Sequence, residues 1–329
     1  MKYSIIIPVY NRPDEVGELL RSLRGQTLKD FEVVIVEDGS SVPCREVVEQ
    51  ERGEMEVSYF VKENGGPGPA RNYGAERAKG EYLIILDSDC VLPEGFLAAV
   101  DEELLRRPTD AWGGPDRAHP DFTTTQKAIN YAMTSFFTTG GIRGGKKRLD
   151  KFYPRSFNLG VRRDVFRQLG GFSAMRFGED IDLSLRIFEG GYTCRLFPEA
   201  WVWHKRRTDF RKFFRQVHNS GIARIDLQLR HPGSMKIVHM LPAVFTVGVV
   251  LLLIGSAWVG WLLWPIVLFA LLILVDATGK ERSLIVGVKA VGAAFVQLIG
   301  YGTGFLRAVW TRLVLKRGSF EAFKDNFYK

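Results

Sequence analysis

One long apolar stretch limits how this chain can fold. Residues 237–275 carry a single ionisable side chain, His239, in 39 positions. As one helix the stretch would be about 58 Å long, whereas a hydrocarbon core is about 30 Å thick. Two membrane spans joined at Gly255-Ser256 fit that thickness, and a buried hairpin of a soluble protein is disfavoured because the short remainder offers too few apolar partners. Three tryptophans would then anchor one interface: Trp258, Trp261 and Trp264.

The basic charge of the chain is concentrated in its C-terminal part. Residues 205–329 carry 18 Lys and Arg against 6 Asp and Glu, whereas residues 1–204 carry 27 against 31. A nucleic-acid-binding domain would be basic where it folds, so the mildly acidic N-terminal part excludes that class. Residues 205–236 hold nine basic and two acidic side chains. The positive-inside rule therefore places this flank and the N-terminal domain in the cytoplasm, at the cytoplasmic membrane.

The segment 283–306 allows two interpretations. Its polar and glycine positions fall on one helical stripe, which favours an amphipathic helix in the membrane interface. That stripe consists of Arg282, Lys289, Gly300, Gly304 and Arg307. Alternatively, Gly300 and Gly304 pack a third span against the hairpin. The sequence thus predicts an N-terminal domain at 1–230, followed by membrane-anchoring helices and a basic tail at 231–329.

The N-terminal segment alternates apolar β-branched runs with polar helical stretches, which is typical of a parallel sheet covered by helices. Predicted strands lie at 3–9, 32–37, 56–61 and 81–86, with a further strand near 192–197. Predicted helices lie at 13–24, 42–50 and 68–79, and a basic helix follows at 208–229. The fold class is therefore α/β with a mostly parallel sheet, and a glycine-rich basic loop is expected at 143–148.

Polar residues follow each predicted strand, at the sheet edge where such folds bind ligands. Asp87 and Asp89 follow the fourth strand, and carboxylates at this spacing either hold one divalent cation or form an acidic turn that caps the next helix. Asp38 ends the second strand, where it either accepts hydrogen bonds from a nucleoside or caps a helix. Arg71 follows a glycine- and proline-rich loop, from which it can reach a phosphate.

Six motifs occur in an order that resembles family 2 of the glycosyltransferases, enzymes with the GT-A fold. They are residues 4–11 (SIIIPVYN), 36–40 (VEDGS), 68–74 (GPARNYG), 87–89 (DSD), 170–172 (GGF) and 178–183 (GEDIDL). The resemblance covers roughly residues 1–220. It implies a Rossmann-like sheet, a nucleotide-diphosphate sugar donor, a Mg or Mn ion, and inversion at the anomeric carbon.

The resemblance also assigns roles to individual residues. Those expected to bind the nucleotide sugar are Pro8, Tyr10, Asn11, Asp38, Arg71, Asp87, Glu179 and Arg215. Those expected to hold the metal are Asp89, Asp87 and His204. Asp180 is expected to be the catalytic base, because displacement at an anomeric carbon needs a carboxylate to take the acceptor proton. The alternatives are that Asp180 complements the positive end of a helix and that His204 is a core histidine.

These expectations describe a membrane-anchored glycosyltransferase of polysaccharide biosynthesis that uses a lipid-linked or membrane-held glycan acceptor. The basic segments at 205–236 and 143–148 would attract anionic lipids or a polyprenyl diphosphate, although positive-inside topology alone explains them. Residues 216–220 lack the Gln-x-x-Arg-Trp of processive synthases. A polyprenyl-phosphate sugar synthase is a second hypothesis, and a noncatalytic sugar-nucleotide-binding scaffold is a third.

Overall fold

The structure, a computed structural model, describes residues 1–139, 152–175 and 177–318. These form two compact units: one contains residues 1–119 and the described part of 152–205, and the other contains 120–139 and 206–318. The longer segment of the second unit begins at residue 206. The domain boundary that the sequence analysis places at residue 230 stays a prediction. The loop predicted at 143–148 lies outside the described residues.

The first unit is built on a seven-stranded, mostly parallel sheet in the order β3-β2-β1-β4-β8-β6-β9, with a small second sheet β5-β10-β7. The strands are β1 (Tyr3–Val9), β2 (Phe31–Asp38), β3 (Glu56–Lys62), β4 (Tyr82–Leu86), β5 (Cys90–Val91), β6 (Ala111–Gly113), β7 (Asp116–Arg117), β8 (Asn158–Arg162), β9 (Cys194–Leu196) and β10 (Val202–His204). Strands β3, β2, β1 and β4 are parallel, and β8 is antiparallel to both neighbours. The predicted α/β class is confirmed.

Helices cover both faces of this sheet, which explains why its central strands are apolar throughout. In β1, Ile5 and Ile7 belong to one hydrophobic core and Ile6 belongs to the other. The helices are α1 (Pro13–Arg24), α2 (Arg45–Glu51), α3 (Pro67–Arg77), α4 (Phe96–Arg106), α5 (Thr124–Thr134), α6 (Phe136–Thr139), α7 (Arg163–Gln168), α8 (Glu179–Glu189), α9 (Phe210–Arg230), α10 (Leu241–Gly255), α11 (Trp264–Glu281) and α12 (Leu284–Ala308). Alternate residues of each strand thus fill two separate cores.

The helices α1, α2, α3 and α9 confirm the predicted ones, with one shifted start. Helix α2 begins at Arg45 rather than at residue 42. The reason is local: Pro43 disfavours helical geometry in the residue before it, and the Cys44 N–H donates to the Glu37 carboxylate over 2.9 Å. That bond ties the start of α2 to the end of β2.

The second unit is helical, and α12 packs against α5, α9, α10 and α11. Glycines permit these close approaches. A Cβ on Gly304 would lie 2.0 Å from the His218 carbonyl oxygen of α9, and one on Gly302 would lie 2.4 Å from the Pro242 carbonyl oxygen of α10. The Lys289 ammonium donates to Thr124 and Thr125 at the start of α5. The polar stripe predicted to face lipid headgroups therefore faces protein at Lys289, Gly300 and Gly304. The prediction that this stripe contacts the membrane interface was wrong.

The apolar segment breaks where predicted, because α10 ends at Gly255 with Ser256 as its C-cap. The helix before the break is shorter than the expected span: a 3₁₀ turn occupies Ile237–His239, and Pro242 lies in the first turn of α10. By length and composition, the described helices that can cross a membrane are Gly260–Glu281 and Leu284–Val314.

Candidate functional site

The candidate site lies in the first unit, at the carboxyl edge of the parallel strands. Strands β3, β2, β1 and β4 are neighbours with the same direction, so the segments after them meet at one edge of the sheet. Six predicted site residues are in these segments or at the strand ends: Pro8, Tyr10, Asn11, Asp38, Asp87 and Asp89. Arg71, in α3, reaches the same edge through its contact with Asp87.

Asn11 joins the turn after β1 to the segment after β2. Its backbone has a φ of 53°, in the left-handed region that asparagine tolerates better than most residues. Its N–H donates to the Ser40 hydroxyl over 2.8 Å, and its side-chain oxygen accepts from the Val42 N–H over 2.9 Å. Asn11 thus stabilises the sheet edge through hydrogen bonds within the protein. A contact between Asn11 and a nucleotide stays a prediction.

Asp38 organises the loop between β3 and α3. The residue is fully buried, and its carboxylate accepts from the N–H groups of Gly65 (2.9 Å) and Gly66 (2.7 Å). Lys62 donates to the same carboxylate over 2.7 Å, and Asn64 also donates to it. The side chain therefore fixes the glycine-rich loop in this structure, and nucleotide binding by Asp38 stays a prediction.

Arg71 is a buried cation that links β4 to α8. Its guanidinium donates to Asp87 over 2.7 Å and to Glu179 over 2.9 Å, and it lies over the Phe172 ring at 5.2 Å. Burial opposes the charge, but the two carboxylates outweigh burial and raise the pKa of Arg71. The guanidinium Nε has no hydrogen-bond partner among the described residues. The loop after β4 and the start of α8 are thus held together by one permanent charge.

Asp89 lies between a cation and an imidazole. Its Oδ2 accepts from Arg12 over 2.7 Å, and its Oδ1 is 3.2 Å from Nε2 of His204. The His204 ring stacks on Phe157 with centroids 4.6 Å apart. The pairing of His204 with Cys90, between β10 and β5, brings the histidine to Asp89. The structure therefore brings together two of the three residues predicted to hold a metal.

The same place fits a divalent cation. Asp89, Cys90 and His204 each place one ligand atom within 4.8 Å of the others. Burial raises the pKa of the Cys90 thiol well above its usual value, with Asp89 and Asp87 adding to it, so the thiol is the poorest ligand of the three. A carboxylate oxygen and an imidazole nitrogen are ordinary ligands for such an ion. Asp87 contacts Arg71 instead, and metal binding by Asp87 stays a prediction.

Asp180 lies in the first turn of α8, which begins after Gly178. Gly178 has a φ of 81°, a conformation that glycine adopts easily. The Asp180 carboxylate is 3.4 Å from the Arg155 guanidinium and accepts from the Ile181 N–H. Asp182, two residues beyond, instead pairs with Arg186 over 2.8 Å. Asp180 and Asp182 thus have separate partners.

The other predicted site residues have fewer described contacts. Pro8 and Tyr10, at the end of β1, are partly exposed at the carboxyl edge. Arg215 lies in α9 of the second unit, where its side chain is exposed. A role for these three residues in donor binding stays a prediction.

The family model described as "Glycosyl transferase family 2" matches residues 4–170, just over half of the chain. The chain belongs to glycosyl transferase family 2. The matched segment contains β1 to β4, α3 and the Asp87–Asp89 turn, so it covers the edge described above. The predicted family is confirmed.

Curated relatives differ in how much of the chain they share. An uncharacterized glycosyltransferase of Haemophilus influenzae is 46% identical over 197 residues, which cover 56% of this chain and 62% of that protein. Pre-mycofactocin glycosyltransferase of Mycobacterium tuberculosis is 28% identical over 319 residues, 93% of this chain and 62% of that protein. An uncharacterized glycosyltransferase of Rickettsia bellii is 40% identical over 88 residues, 13% of its length. The chain matches less than two thirds of each of these proteins.

Two solved glycosyltransferase structures share the fold. The mannosyltransferase PcManGT from Pyrobaculum calidifontis, in complex with GDP-Man and Mn²⁺, gives a TM-score of 0.66 at 17% identity, over 94% of this chain and 88% of that one. Staphylococcus aureus TarS in complex with UDP-GlcNAc gives 0.50 at 17% identity, over 95% and 92%. These similarities confirm the predicted GT-A fold.

Three residues that support the site were not predicted from the sequence: two are partners of its acids and one contacts its histidine. Arg12 pairs with Asp89, and Arg155 approaches Asp180. Phe157 supports the His204 ring. Arg12 lies in the polar segment after β1, so its position at the sheet edge could have been predicted. Neither Arg155 nor Phe157 belongs to a motif or a periodic pattern that would indicate such contacts.

Proposed function

We propose that the protein is an inverting, metal-dependent glycosyltransferase that acts at the cytoplasmic face of the membrane. It moves a sugar from a nucleotide-diphosphate sugar to a hydroxyl of a lipid-linked or membrane-held glycan. Membership of glycosyl transferase family 2 supports transfer from such a donor. The donor-bound neighbours support it as well, since TarS was solved with UDP-GlcNAc and PcManGT with GDP-Man and Mn²⁺.

The observation that carries this proposal is the contact between Asp89 and His204 at the carboxyl edge of the sheet. The two ligand atoms are 3.2 Å apart, on a turn and a strand that come together only in the folded unit. A site made of one carboxylate and one imidazole suits Mn²⁺ or Mg²⁺ that also binds phosphate oxygens. When bound, the cation would stabilise the negative charge of the leaving diphosphate.

The remaining chemistry belongs to side chains of this chain. Asp180 accepts the proton of the acceptor hydroxyl, which attacks the anomeric carbon from the side opposite the leaving group and so inverts it. Arg155 and the first turn of α8 orient the Asp180 carboxylate. Arg71 keeps Asp87 in place at the end of β4, where Asp87 accepts hydrogen bonds from the donor ribose or sugar.

The second unit supports a membrane location. Helix α11 lies in the apolar segment Gly260–Glu281. Of the 18 consecutive residues of this segment that are most apolar, 11% are buried, so the segment is mostly exposed. The tip between α10 and α11 exposes large tryptophans, with Trp258 79% and Trp261 66% accessible. Apolar helices left uncovered by protein fit a lipid environment, and tryptophans are enriched at its boundary. The proposed acceptor, held by a lipid, would be available at this boundary.

A donor panel tests the proposed reaction. The full chain in detergent or nanodiscs is given nucleotide-diphosphate sugars with membrane lipid extract, and nucleoside diphosphate release is followed with Mn²⁺, Mg²⁺ or EDTA. We expect release with one donor class, loss of release in EDTA, and a roughly 100-fold lower rate for Asp89→Asn. Glu102→Gln, an exposed change on α4 that likewise removes one negative charge, is the matched control and should leave the rate unchanged.

The product separates the acceptor hypotheses. A glycolipid whose anomeric configuration is opposite to that of the donor supports transfer to a glycan hydroxyl with inversion. A lipid monophosphate sugar would instead identify a polyprenyl-phosphate sugar synthase. Donor binding without any turnover on the extract would favour the noncatalytic scaffold and count against the proposed reaction.

A further inference from the structure

Arg12 occupies the side of Asp89 that faces away from His204. Its guanidinium donates to Asp89 Oδ2 over 2.7 Å, while Oδ1 of the same carboxylate approaches the imidazole. Arg12 immediately precedes α1, and a third of its side chain (33%) is exposed. The carboxylate predicted to hold a metal therefore already carries a permanent cation, and that cation has access to solvent.

The charges at this place make Arg12 and a bound metal competitors. The Arg12 guanidinium is charged at any pH at which the protein is folded, and it lies 2.7 Å from Asp89 Oδ2. A divalent cation on Asp89 would share one carboxylate with it, and like charges at this spacing repel strongly in a partly buried site.

A nucleoside diphosphate would remove this conflict. Arginine forms its strongest hydrogen bonds with carboxylates and phosphates, and it can exchange one for the other without losing charge. Arg12 is the N-cap residue of the twelve-residue helix α1, and the N–H groups at a helix N-terminus also attract phosphate, although Asp14 and Glu15 in the first turn of α1 oppose this attraction. A diphosphate at the sheet edge therefore offers Arg12 a new anionic partner at the moment the metal takes Asp89.

We infer that Arg12 is a placeholder cation: it neutralises Asp89 in the metal-free protein and makes the binding of metal and nucleoside diphosphate mutually dependent. The inference rests on the proposed function, because it assumes that the site takes both ligands. Linkage requires the coupling to be reciprocal, so that the diphosphate tightens metal binding by the same factor by which the metal tightens diphosphate binding. Binding of free metal to the protein alone is then weak.

Metal titration tests this role without measuring turnover. The full chain in detergent is titrated with Mn²⁺, and free Mn²⁺ is followed by electron paramagnetic resonance, alone and with saturating UDP, GDP, ADP, CDP or dTDP. For the wild type we expect at least about tenfold tighter Mn²⁺ binding with one of these nucleotides. For Arg12→Gln we expect Mn²⁺ alone to bind about tenfold more tightly than to the wild type, and the nucleotide effect to shrink to less than about threefold.

Two variants separate charge from structure. Arg21→Gln is the matched control, because Arg21 lies on the same helix and pairs with Glu51 away from the site. It should bind Mn²⁺ as the wild type does. Arg12→Lys keeps the charge and should retain weak binding of free Mn²⁺. Melting temperatures of the three variants show whether any change reflects unfolding.

The outcomes are distinct. Equal Mn²⁺ affinity in Arg12→Gln and the wild type, with metal-dependent donor turnover intact, would overturn the placeholder role and leave the proposed function standing. Weaker Mn²⁺ binding in Arg12→Gln would overturn it too, because Arg12 would then support the metal. A wild type that binds no Mn²⁺ with any nucleotide would overturn both the inference and the metal dependence.

Discussion

Four acidic side chains of the candidate site are held by arginines. Asp89 pairs with Arg12, Asp87 and Glu179 share Arg71, and Asp180 approaches Arg155. Such pairs hold carboxylates in fixed directions, which is what a site must do before a highly charged donor arrives. They also mean that the donor's phosphates compete for guanidinium groups that are already paired. Substitutions that test this site should therefore keep the shape of the side chain and remove its charge.

Asp180→Asn separates the proposed base from a donor-binding residue. The amide cannot take the acceptor proton, so we expect the transfer rate to fall by roughly 10²- to 10⁴-fold. The nucleoside diphosphate affinity should stay within about threefold, because Asp180 is proposed to act on the acceptor side. Calorimetry gives the affinity and product release gives the rate. Should the variant lose nucleotide affinity to the same extent as activity, Asp180 would be a binding residue instead.

At the level of elements, local sequence determined which strands and helices form but not which side chains meet. Strands β1, β2 and β4 were predictable because each contains a continuous apolar run, and β3 because it is rich in β-branched and aromatic residues. The small sheet was not, because strands of two or three residues have no measurable periodicity. His204 reaches Asp89 only through the pairing of β10 with β5. Asp89 was therefore predictable as a candidate ligand, while its contact with Arg12 required the folded unit.

The contact between α9 and α12 depends on glycines at several levels of the helices, namely Gly221, Gly300 and Gly304, and the approach is closest at Gly304. A Cβ at Gly304 would lie 2.0 Å from the His218 carbonyl oxygen, a backbone atom that cannot rotate away. We expect Gly304→Ala to destabilise the protein by about 1–3 kcal/mol and to lower the melting temperature of the detergent-solubilised chain. Gly248→Ala in α10 is the control: nothing lies within 4 Å of that position, and alanine should leave stability equal or slightly higher. Equal effects of the two changes would contradict close packing at Gly304.

For the whole molecule, α9 limits the topology that α12 can adopt. The two helices pack side by side in the same direction, from Gly300 against Val217 to Arg312, which pairs with Asp226 over 2.7 Å. Helix α9 also exposes basic side chains: Arg211, Lys212 and Arg215. If α12 crossed the hydrocarbon core, α9 would be carried in with these charges at a cost of several kcal/mol. We therefore expect α12 to stay beside α9 on the cytoplasmic side, while the hairpin of α10 and α11 enters the bilayer.

Cysteine labelling in intact cells tests this topology. Cys194, the partly exposed native cysteine, is replaced by serine, and single cysteines are placed at Ala257 and at Lys316. Ala257 lies at the tip of the hairpin beside the exposed Trp258, so a membrane-impermeant maleimide added outside should label it. Lys316 follows the end of α12 and should react only after the membrane is opened if, as we expect, α12 does not cross. Ready labelling of Lys316 from outside would show that α12 crosses the membrane, and α9 would then have to separate from it.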